Sequence, residues 1–116
     1  MTPKDKFIYK VCKSNEWNQA KEKNKYLGSS KDISDGFIHF SSKRELRSTI
    51  EKYYSKEKNL IILKVDINQL SNLKWEKSRD GLFFPHLYSI FNLNSVKETY
   101  EMTILENGLF SIPDSF

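Results

Sequence analysis

The sequence predicts a small α+β domain, and three observations support that fold class. Short segments rich in β-branched and aromatic residues, bounded by polar residues, are typical of strands. Two other segments begin with a residue suited to cap a helix. The predicted order is strand, helix, strand, helix and then mostly strands, which favours small antiparallel or mixed sheets with two main helices over an alternating parallel sheet.

The first part of the chain is predicted to hold two strands and one helix. Phe7 to Cys12 mixes β-branched and aromatic residues and predicts the first strand. Ser14 is suited to cap a helix that ends at about Lys25. Leu27 to Asp35 is rich in Ser, Asp and Gly, so we expect a loop there, and a loop of this length in a compact domain is often functional. Gly36 to Phe40 is expected to form a short second strand.

A capping box introduces the second predicted helix. Ser42 and Glu45 have the spacing in which the serine side chain accepts from the backbone and the glutamate reaches back. We expect this helix to end at about Tyr54. Its apolar residues recur at helical spacing: Leu46, Ile50 and Tyr53.

The second part of the chain is predicted to hold the remaining strands. Leu60 to Val65 is nearly continuously apolar, so we expect a central strand covered on both faces. Asp66 to Leu70 is expected to form one helical turn, and Leu73 to Lys77 a short strand. Asp80-Gly81 indicates a turn, and Val96 to Leu105 alternates as a last strand would.

Pro85 determines which position in a sheet we expect for the strand formed by Phe83 to Tyr88. The aromatic residues of this segment favour extended structure. A proline has no N–H to donate to a strand ladder, so we expect this strand to lie at a sheet edge or to contain a bulge.

Composition predicts one domain without membrane or secretory features. The 116 residues suffice for a single domain over 1–116, with a core at about 7–105. The net charge is +4, but the lysines are spread along the chain, which does not favour nucleic-acid binding. The single cysteine, Cys12, has no partner for an intrachain disulfide, and the polar N-terminus lacks a signal-peptide apolar region. We expect a cytoplasmic monomer.

The two histidines of the chain lie in similar aromatic segments. Because side chains alternate along a strand, Phe37, His39 and Ser41 share one face. His86 and Tyr88 likewise share a face. If the two strands pair, the histidines and their neighbouring hydroxyls converge in one pocket, which can hydrogen-bond a polar ligand and stack on a flat one.

Other interpretations of these residues stay open or fit less well. Each histidine could instead be structural and donate to a backbone carbonyl. Two histidines without a third ligand nearby do not favour zinc, so we expect no metal. The sequence has no G-x-S-x-G elbow, Walker loop or G-x-G-x-x-G. Glu76, beside Trp75, is a second candidate for acid–base chemistry, with an exposed strand glutamate as the alternative.

Four segments of the chain follow one another in a characteristic order: Ile8-Tyr9-Lys10, Gly36-Phe37-Ile38-His39-Phe40-Ser41, Trp75-Glu76 and Phe84-Pro85-His86-Leu87-Tyr88. In this order they resemble the domain of unknown function 952 family, over roughly Phe7 to Leu105. The G-F-I-H-x-S and F-P-H-L-Y pieces are specific in combination. The family usually has cysteine where this chain has Phe40 and glycine where it has Ser89, so a shared role for that cysteine cannot hold.

The family is placed near the ADP-ribosyltransferase fold, a split, twisted pair of small sheets around a nicotinamide-dinucleotide cleft. The resemblance therefore implies NAD, or another ADP-ribosyl ligand, as substrate. It implies that His39 hydrogen-bonds a ribose hydroxyl and that His86 orients the diphosphate or the second ribose. Tyr88 or Tyr9 would stack on nicotinamide, and Glu76 would steady an oxocarbenium-like transition state. The expected catalytic residues are His39, His86 and Glu76, and the expected ligand-binding residues are Tyr9, Lys10, Ser41, Trp75 and Tyr88.

Three functional hypotheses follow from the residues and the resemblance. The first is an enzyme that transfers or hydrolyses ADP-ribose, because cleavage of the bond to nicotinamide needs positioning, stacking and a nearby anion. The second is a non-catalytic module that binds a nucleotide or metabolite in the same pocket. The third is a structural or protein-interaction domain in which the histidines only pack.

Overall fold

Three helices and eight strands form the described part of the chain. The structure is a computed structural model and describes residues 6–54, 59–78, 81–104 and 110–111. The helices are α1 (Ser14–Lys23), α2 (Ser30–Asp35) and α3 (Lys43–Tyr53). The strands are β1 (Phe7–Lys13), β2 (Ile38–His39), β3 (Leu60–Asp66), β4 (Leu73–Lys77), β5 (Phe83–Leu87), β6 (Val96–Glu101), β7 (Thr103–Ile104) and β8 (Phe110–Ser111).

The described strands form small sheets with antiparallel pairing throughout. Two sheets have three strands each, in the orders β1-β3-β6 and β2-β5-β4, and β7 pairs with β8. The α+β class is confirmed, with antiparallel sheets and with three helices where two were expected. No helix within the described ranges is long and apolar enough to cross a membrane.

The additional helix, α2, lies within the segment that was predicted to be a loop. Ser29 N–H donates to the Asp32 carboxylate over 2.9 Å, and Asp32 N–H donates to the Ser29 hydroxyl over 3.2 Å. Gly36 ends the helix with a positive φ of 84°, a conformation that glycine adopts without strain. The loop prediction was therefore wrong for Ser30–Asp35, because a capping box rather than apolar periodicity stabilises this short helix.

The other helices begin close to the predicted positions. Ser14 is the first residue of α1 rather than its cap, and its hydroxyl donates to the Asn59 carbonyl over 2.8 Å. Asn24, in the left-handed conformation with φ of 51°, ends the helix just before Lys25. Ser42 caps α3 as predicted, since its hydroxyl accepts from the Glu45 N–H over 3.3 Å.

The first sheet is covered on both faces, and β3 lies at its centre as predicted. One face packs against α3 through Leu46 and Ile50. The other face packs against α1, through Trp17 and Ala20, and against the second sheet. Residues of β3 alternate between these faces: Leu60 and Ile62 face α3, whereas Ile61, Leu63 and Val65 belong to the core between the sheets.

The second sheet has β5 at its centre, so the expectation of an edge strand or a bulge was wrong. The missing N–H of Pro85 is tolerated because β2 has only two residues and ends before it reaches this position. A residue's N–H and C=O point to the same neighbour in an antiparallel ladder. The Pro85 carbonyl accepts from the Phe40 N–H over 3.0 Å, so the proline nitrogen also faces the segment that follows β2.

Tyr9 and Ser41 join the two sheets at their edges. Their backbones exchange two hydrogen bonds of 2.8 Å each. Directly paired residues point to the same face. The face of the first sheet that α3 covers therefore continues into the face of the second sheet that carries His39.

The remaining predicted elements are present within the described residues, but the second strand, predicted over Gly36 to Phe40, is reduced to Ile38–His39 because Gly36 ends α2. The predicted helical turn is a 3₁₀ turn at Ile67–Gln69, and β4 has the predicted bounds. The last predicted strand is divided into β6 and β7. Asp80 of the predicted turn and Leu105 lie outside the described residues, whereas Gly81 has the positive φ, 81°, of a turn glycine.

Candidate functional site

His39 and His86 are direct cross-strand neighbours on β2 and β5. Their ring centroids lie 5.2 Å apart. The Phe37 ring contacts both, with centroid distances of 4.6 Å to His39 and 4.2 Å to His86, and it lies 5.1 Å from the Tyr88 ring. The structure thus brings the two histidines together, which the sequence predicted on the condition that these two strands pair.

The carboxylate of Asp32, on α2, holds His39. Its Oδ1 lies 2.6 Å from the ring Nδ1 of His39 and accepts from the backbone N–H of the same residue over 3.1 Å. On the other side of the ring, Nε2 lies 3.2 Å from Oδ2 of Asp35, the last residue of α2. Two carboxylates therefore flank one imidazole, and only Asp32 is buried, at 2% exposure.

Lys10, on β1, forms a buried ion pair with the same carboxylate. Its Nζ lies 2.7 Å from Asp32 Oδ2, and the residue is only 3% exposed. Burial opposes ionisation of Asp32, but the hydrogen bond from His39 and the charge of Lys10 outweigh it, so the pKa of Asp32 lies well below its usual range. Asp32 is therefore an anion under ordinary conditions.

The carboxylate of Glu76, on β4, holds His86. Its Oε1 lies 2.8 Å from the ring Nδ1 of His86 and accepts from the Tyr88 hydroxyl over 2.5 Å. These two hydrogen bonds lower the pKa of Glu76. Burial lowers the pKa of His86 despite the nearby carboxylate, so its ring is neutral at physiological pH. A neutral ring that donates from Nδ1 presents the lone pair of Nε2 to a ligand.

A cleft of about 960 Å³ lies between α3, the edge of β1 and the second sheet. Both histidines line it, together with polar side chains from α3. Ser41 also lines it, with its hydroxyl 3.0 Å from the Thr49 hydroxyl of α3. The cleft is large enough for a nucleotide-sized ligand.

Most of the remaining predicted residues lie at or near this cleft. Tyr9 and Lys10 line it. Glu76 contacts His86 at Nδ1, and the Tyr88 hydroxyl in turn donates to Glu76. Neither residue is among the described residues that line the cleft. Lys74 extends over the Tyr88 ring, with Nζ 5.1 Å from its centroid.

Trp75 is the predicted site residue that the structure places elsewhere. It packs against the core between the two sheets, on the opposite face of β4 from Glu76. Phe40 also faces this core, where its ring meets Phe91 at a centroid distance of 5.3 Å. The position at which the family usually has cysteine therefore points away from the histidines.

Sequence reasoning missed Asp32 and Asp35 because their segment was interpreted as a loop. The capping box formed by Ser29 and Asp32 is a signal that could have located α2. Cys12 is buried, and burial raises the pKa of its thiol to about 12, so it is not a reactive thiolate. Among the described residues, no group of three or more His, Cys, Asp or Glu is arranged to hold a metal ion.

Comparison with known proteins assigns the family. Residues 11–99 match the family model described as "Protein of unknown function (DUF952)", so the chain belongs to this family. None of the curated proteins matches the sequence.

Solved structures of protein CC0527 from Caulobacter crescentus share the fold. The crystal structure is 35% identical, covers 90% of this chain and 93% of that chain, and has a TM-score of 0.84. The solution NMR structure is 34% identical, covers 95% and 93% of the two chains, and has a TM-score of 0.79. These similarities extend over at least 90% of each chain.

Proposed function

We propose that the cleft beside His39 and His86 binds NAD or another ADP-ribosyl ligand, and that the protein transfers or hydrolyses ADP-ribose. The observation that carries this proposal is the direct pairing of the two histidines, each with Nδ1 on a carboxylate, at the wall of a nucleotide-sized cleft. Two small antiparallel sheets that share a face at this cleft also support an ADP-ribosyltransferase-like arrangement.

The histidines suit the two tasks of this reaction, which are to position a ribose and to move a proton. When the bond between ribose C1′ and nicotinamide breaks, its electron pair goes to the pyridinium nitrogen, and nicotinamide leaves as a neutral molecule. An acceptor oxygen, from water or a hydroxyl, then bonds to C1′ and releases a proton. In this scheme the neutral His86 accepts that proton at Nε2, and His39 hydrogen-bonds a ribose hydroxyl.

Glu76 has a different role in this proposal from the one that the resemblance implied. Because it holds Nδ1 of His86 at 2.8 Å, its charge stabilises the imidazolium that forms when His86 accepts a proton. In this scheme Glu76 therefore acts through His86 rather than directly on the oxocarbenium-like carbon.

The first test is nicotinamide release from NAD by purified wild-type protein and by Glu76→Gln. We expect Glu76→Gln to lower the rate about 10- to 100-fold with little change in NAD affinity, because general acid–base catalysis contributes about 10²–10⁴-fold and Glu76 supports it only through His86. Glu101→Gln, an exposed position on β6, is the matched control and should behave as wild type.

A second candidate function is a binding module without turnover. It is favoured by one observation: Glu76 is held by both His86 and Tyr88 and so is not placed to face the cleft. Saturable binding of NAD without release of nicotinamide would support the module and contradict the enzyme. Absence of binding by the wild-type protein would contradict both.

A further inference from the structure

We propose that Asp32 is a positioning residue that fixes the orientation and tautomer of His39, and that Lys10 holds Asp32 in place for this task. The inference rests on the proposed function for its consequence, since it concerns how His39 meets a ligand. Its structural part concerns the ligand-free protein and can be tested without any ligand.

Four donors converge on the two oxygens of Asp32. Oδ1 lies within hydrogen-bonding distance of the backbone nitrogen of His39, at 3.1 Å, and of its ring Nδ1, at 2.6 Å. Oδ2 accepts from the Ser29 N–H over 2.9 Å and from Lys10 Nζ over 2.7 Å. An ionised carboxylate can only accept hydrogen bonds, so Nδ1 of His39 must carry a proton.

The two contacts at Oδ1 restrict the His39 side chain. Because the same oxygen binds the backbone and the ring of one residue, the ring cannot rotate without loss of the shorter bond. With Nδ1 protonated, Nε2 is the nitrogen that takes a further partner, and in the neutral ring it is an acceptor. A ring fixed in this way before the ligand arrives loses little freedom on binding.

Lys10 explains why this carboxylate can stay ionised while buried. A buried, unpaired charge is strongly unfavourable, and at 2.7 Å Lys10 and Asp32 each offset part of that penalty for the other. The pair joins β1 to α2 across 22 residues of sequence, so the position of α2 relative to the sheet depends on it. The orientation of His39 is thereby coupled to the first sheet.

Asp35 provides a matched control on the same ring. It is also an aspartate of α2, but its Oδ2 faces Nε2 of His39 at 3.2 Å and its side chain is 37% exposed. A carboxylate at Nε2 favours a proton on that nitrogen, so in the neutral ring Asp35 opposes the Nδ1–H tautomer, whereas Asp32 favours it. Because Asp32 is both nearer to the ring, at 2.6 Å, and buried, we expect it to determine the tautomer against the more distant and exposed Asp35.

The experiment follows the ring nitrogens of His39 by long-range ¹H–¹⁵N correlation NMR in ligand-free protein. The pH is raised until the ¹⁵N shifts of the ring are those of a neutral imidazole, so that its tautomers are observed. We expect the Nδ1–H tautomer in wild type and in Asp35→Asn. We expect Asp32→Ala to shift His39 to the Nε2–H tautomer, which free imidazole rings favour.

A second variant keeps the proposal testable if Asp32→Ala, which leaves Lys10 buried without its partner, does not fold. The double variant Lys10→Met/Asp32→Leu removes both charges and keeps apolar volume in their place. It should show the same change of tautomer. The proposal is overturned if wild-type His39 is in the Nε2–H form, or if either folded variant retains the Nδ1–H form.

Titration with ADP-ribose then separates this inference from the proposed function. We expect either Asp32 variant to bind ADP-ribose about 10-fold more weakly than wild type and than the exposed β6 control Glu101→Gln, which is the effect of one poorly oriented hydrogen bond. If wild type does not bind ADP-ribose while the tautomers behave as expected, the positioning role is supported and the proposed ligand is wrong. If both Asp32 variants bind as tightly as wild type, Asp32 does not position His39 for this ligand.

Discussion

The two histidine–carboxylate pairs of the site have the same chemistry but different surroundings. Asp32 is 2% exposed and has the buried ammonium of Lys10 at its second oxygen. The Glu76 side chain is 41% exposed, and its other partner is the hydroxyl of Tyr88. The His39 ring is therefore fixed by a buried ionic network, whereas the His86 ring is held by a solvent-exposed carboxylate.

This difference indicates that the two histidines have different roles. A ring held by a buried anion that must stay ionised is suited to constant hydrogen bonding of a ligand. A ring whose pKa is lowered by burial, with an exposed carboxylate behind it, is suited to accept and release a proton. The comparison also predicts that the two carboxylates affect stability very differently.

The largest expected effect is the loss of stability in Asp32→Ala. This change leaves the Lys10 ammonium buried without a partner, which typically costs about 3–5 kcal/mol. The measurement is the free energy of unfolding from urea denaturation. Glu76→Ala, at the exposed pair, should leave the unfolding midpoint near that of wild type.

The double variant Lys10→Met/Asp32→Leu makes this stability prediction more specific. It should be clearly more stable than Asp32→Ala, because no unpaired charge remains in the core. Equal destabilisation of the single and double variants would contradict the ion-pair explanation. It would indicate instead that the contacts of Asp32 with the backbone of α2 and β2 are decisive.

A smaller effect is expected from pH, and it has the same sign for both pairs. The pKa of Asp32 is lowered by folding, so its contribution to stability is present above the unfolded value of about 4 and is lost as pH falls below it. The pKa of His86 is also lowered, so the unfolded chain takes up its proton first, and stability falls as pH drops below about 6.5.

Urea midpoints measured across this acid range at constant ionic strength test the pH dependence. We expect a first decrease from His86 below neutrality and a second from Asp32 in stronger acid. The double variant Lys10→Met/Asp32→Leu should retain the first decrease and lose much of the second. A midpoint that rises on acidification would contradict both assignments.

Strand alternation predicted which neighbours share a face with each histidine, but not the residues that support the two rings. It placed His39 with Phe37 and His86 with Tyr88, and the register of β2 and β5 then brings the histidines face to face. The buried partner of His39 could not be predicted in the same way. Lys10 and Asp32 are 22 residues apart, and nothing local in either segment indicates that a lysine and an aspartate pair inside the core.

Two differences from the sequence predictions have local physical reasons. Trp75 and Glu76 are adjacent on a strand, so only one of them can face the site, and Trp75 faces the core. Pro85 occupies a central strand because its short neighbour β2 ends before a donor is required. The first reason was available in the sequence, whereas the second depends on a strand length that the sequence did not specify.

Whether His39 and His86 form one nucleotide pocket is tested by an NMR titration of the labelled wild-type protein with NAD and with ADP-ribose. The ring signals of both histidines and the amides around them are followed as the ligand is added. We predict saturable shifts at both rings with a single dissociation constant for each ligand. Unchanged signals at both rings would contradict a shared nucleotide pocket and leave the histidines as structural residues or as a site for a different ligand.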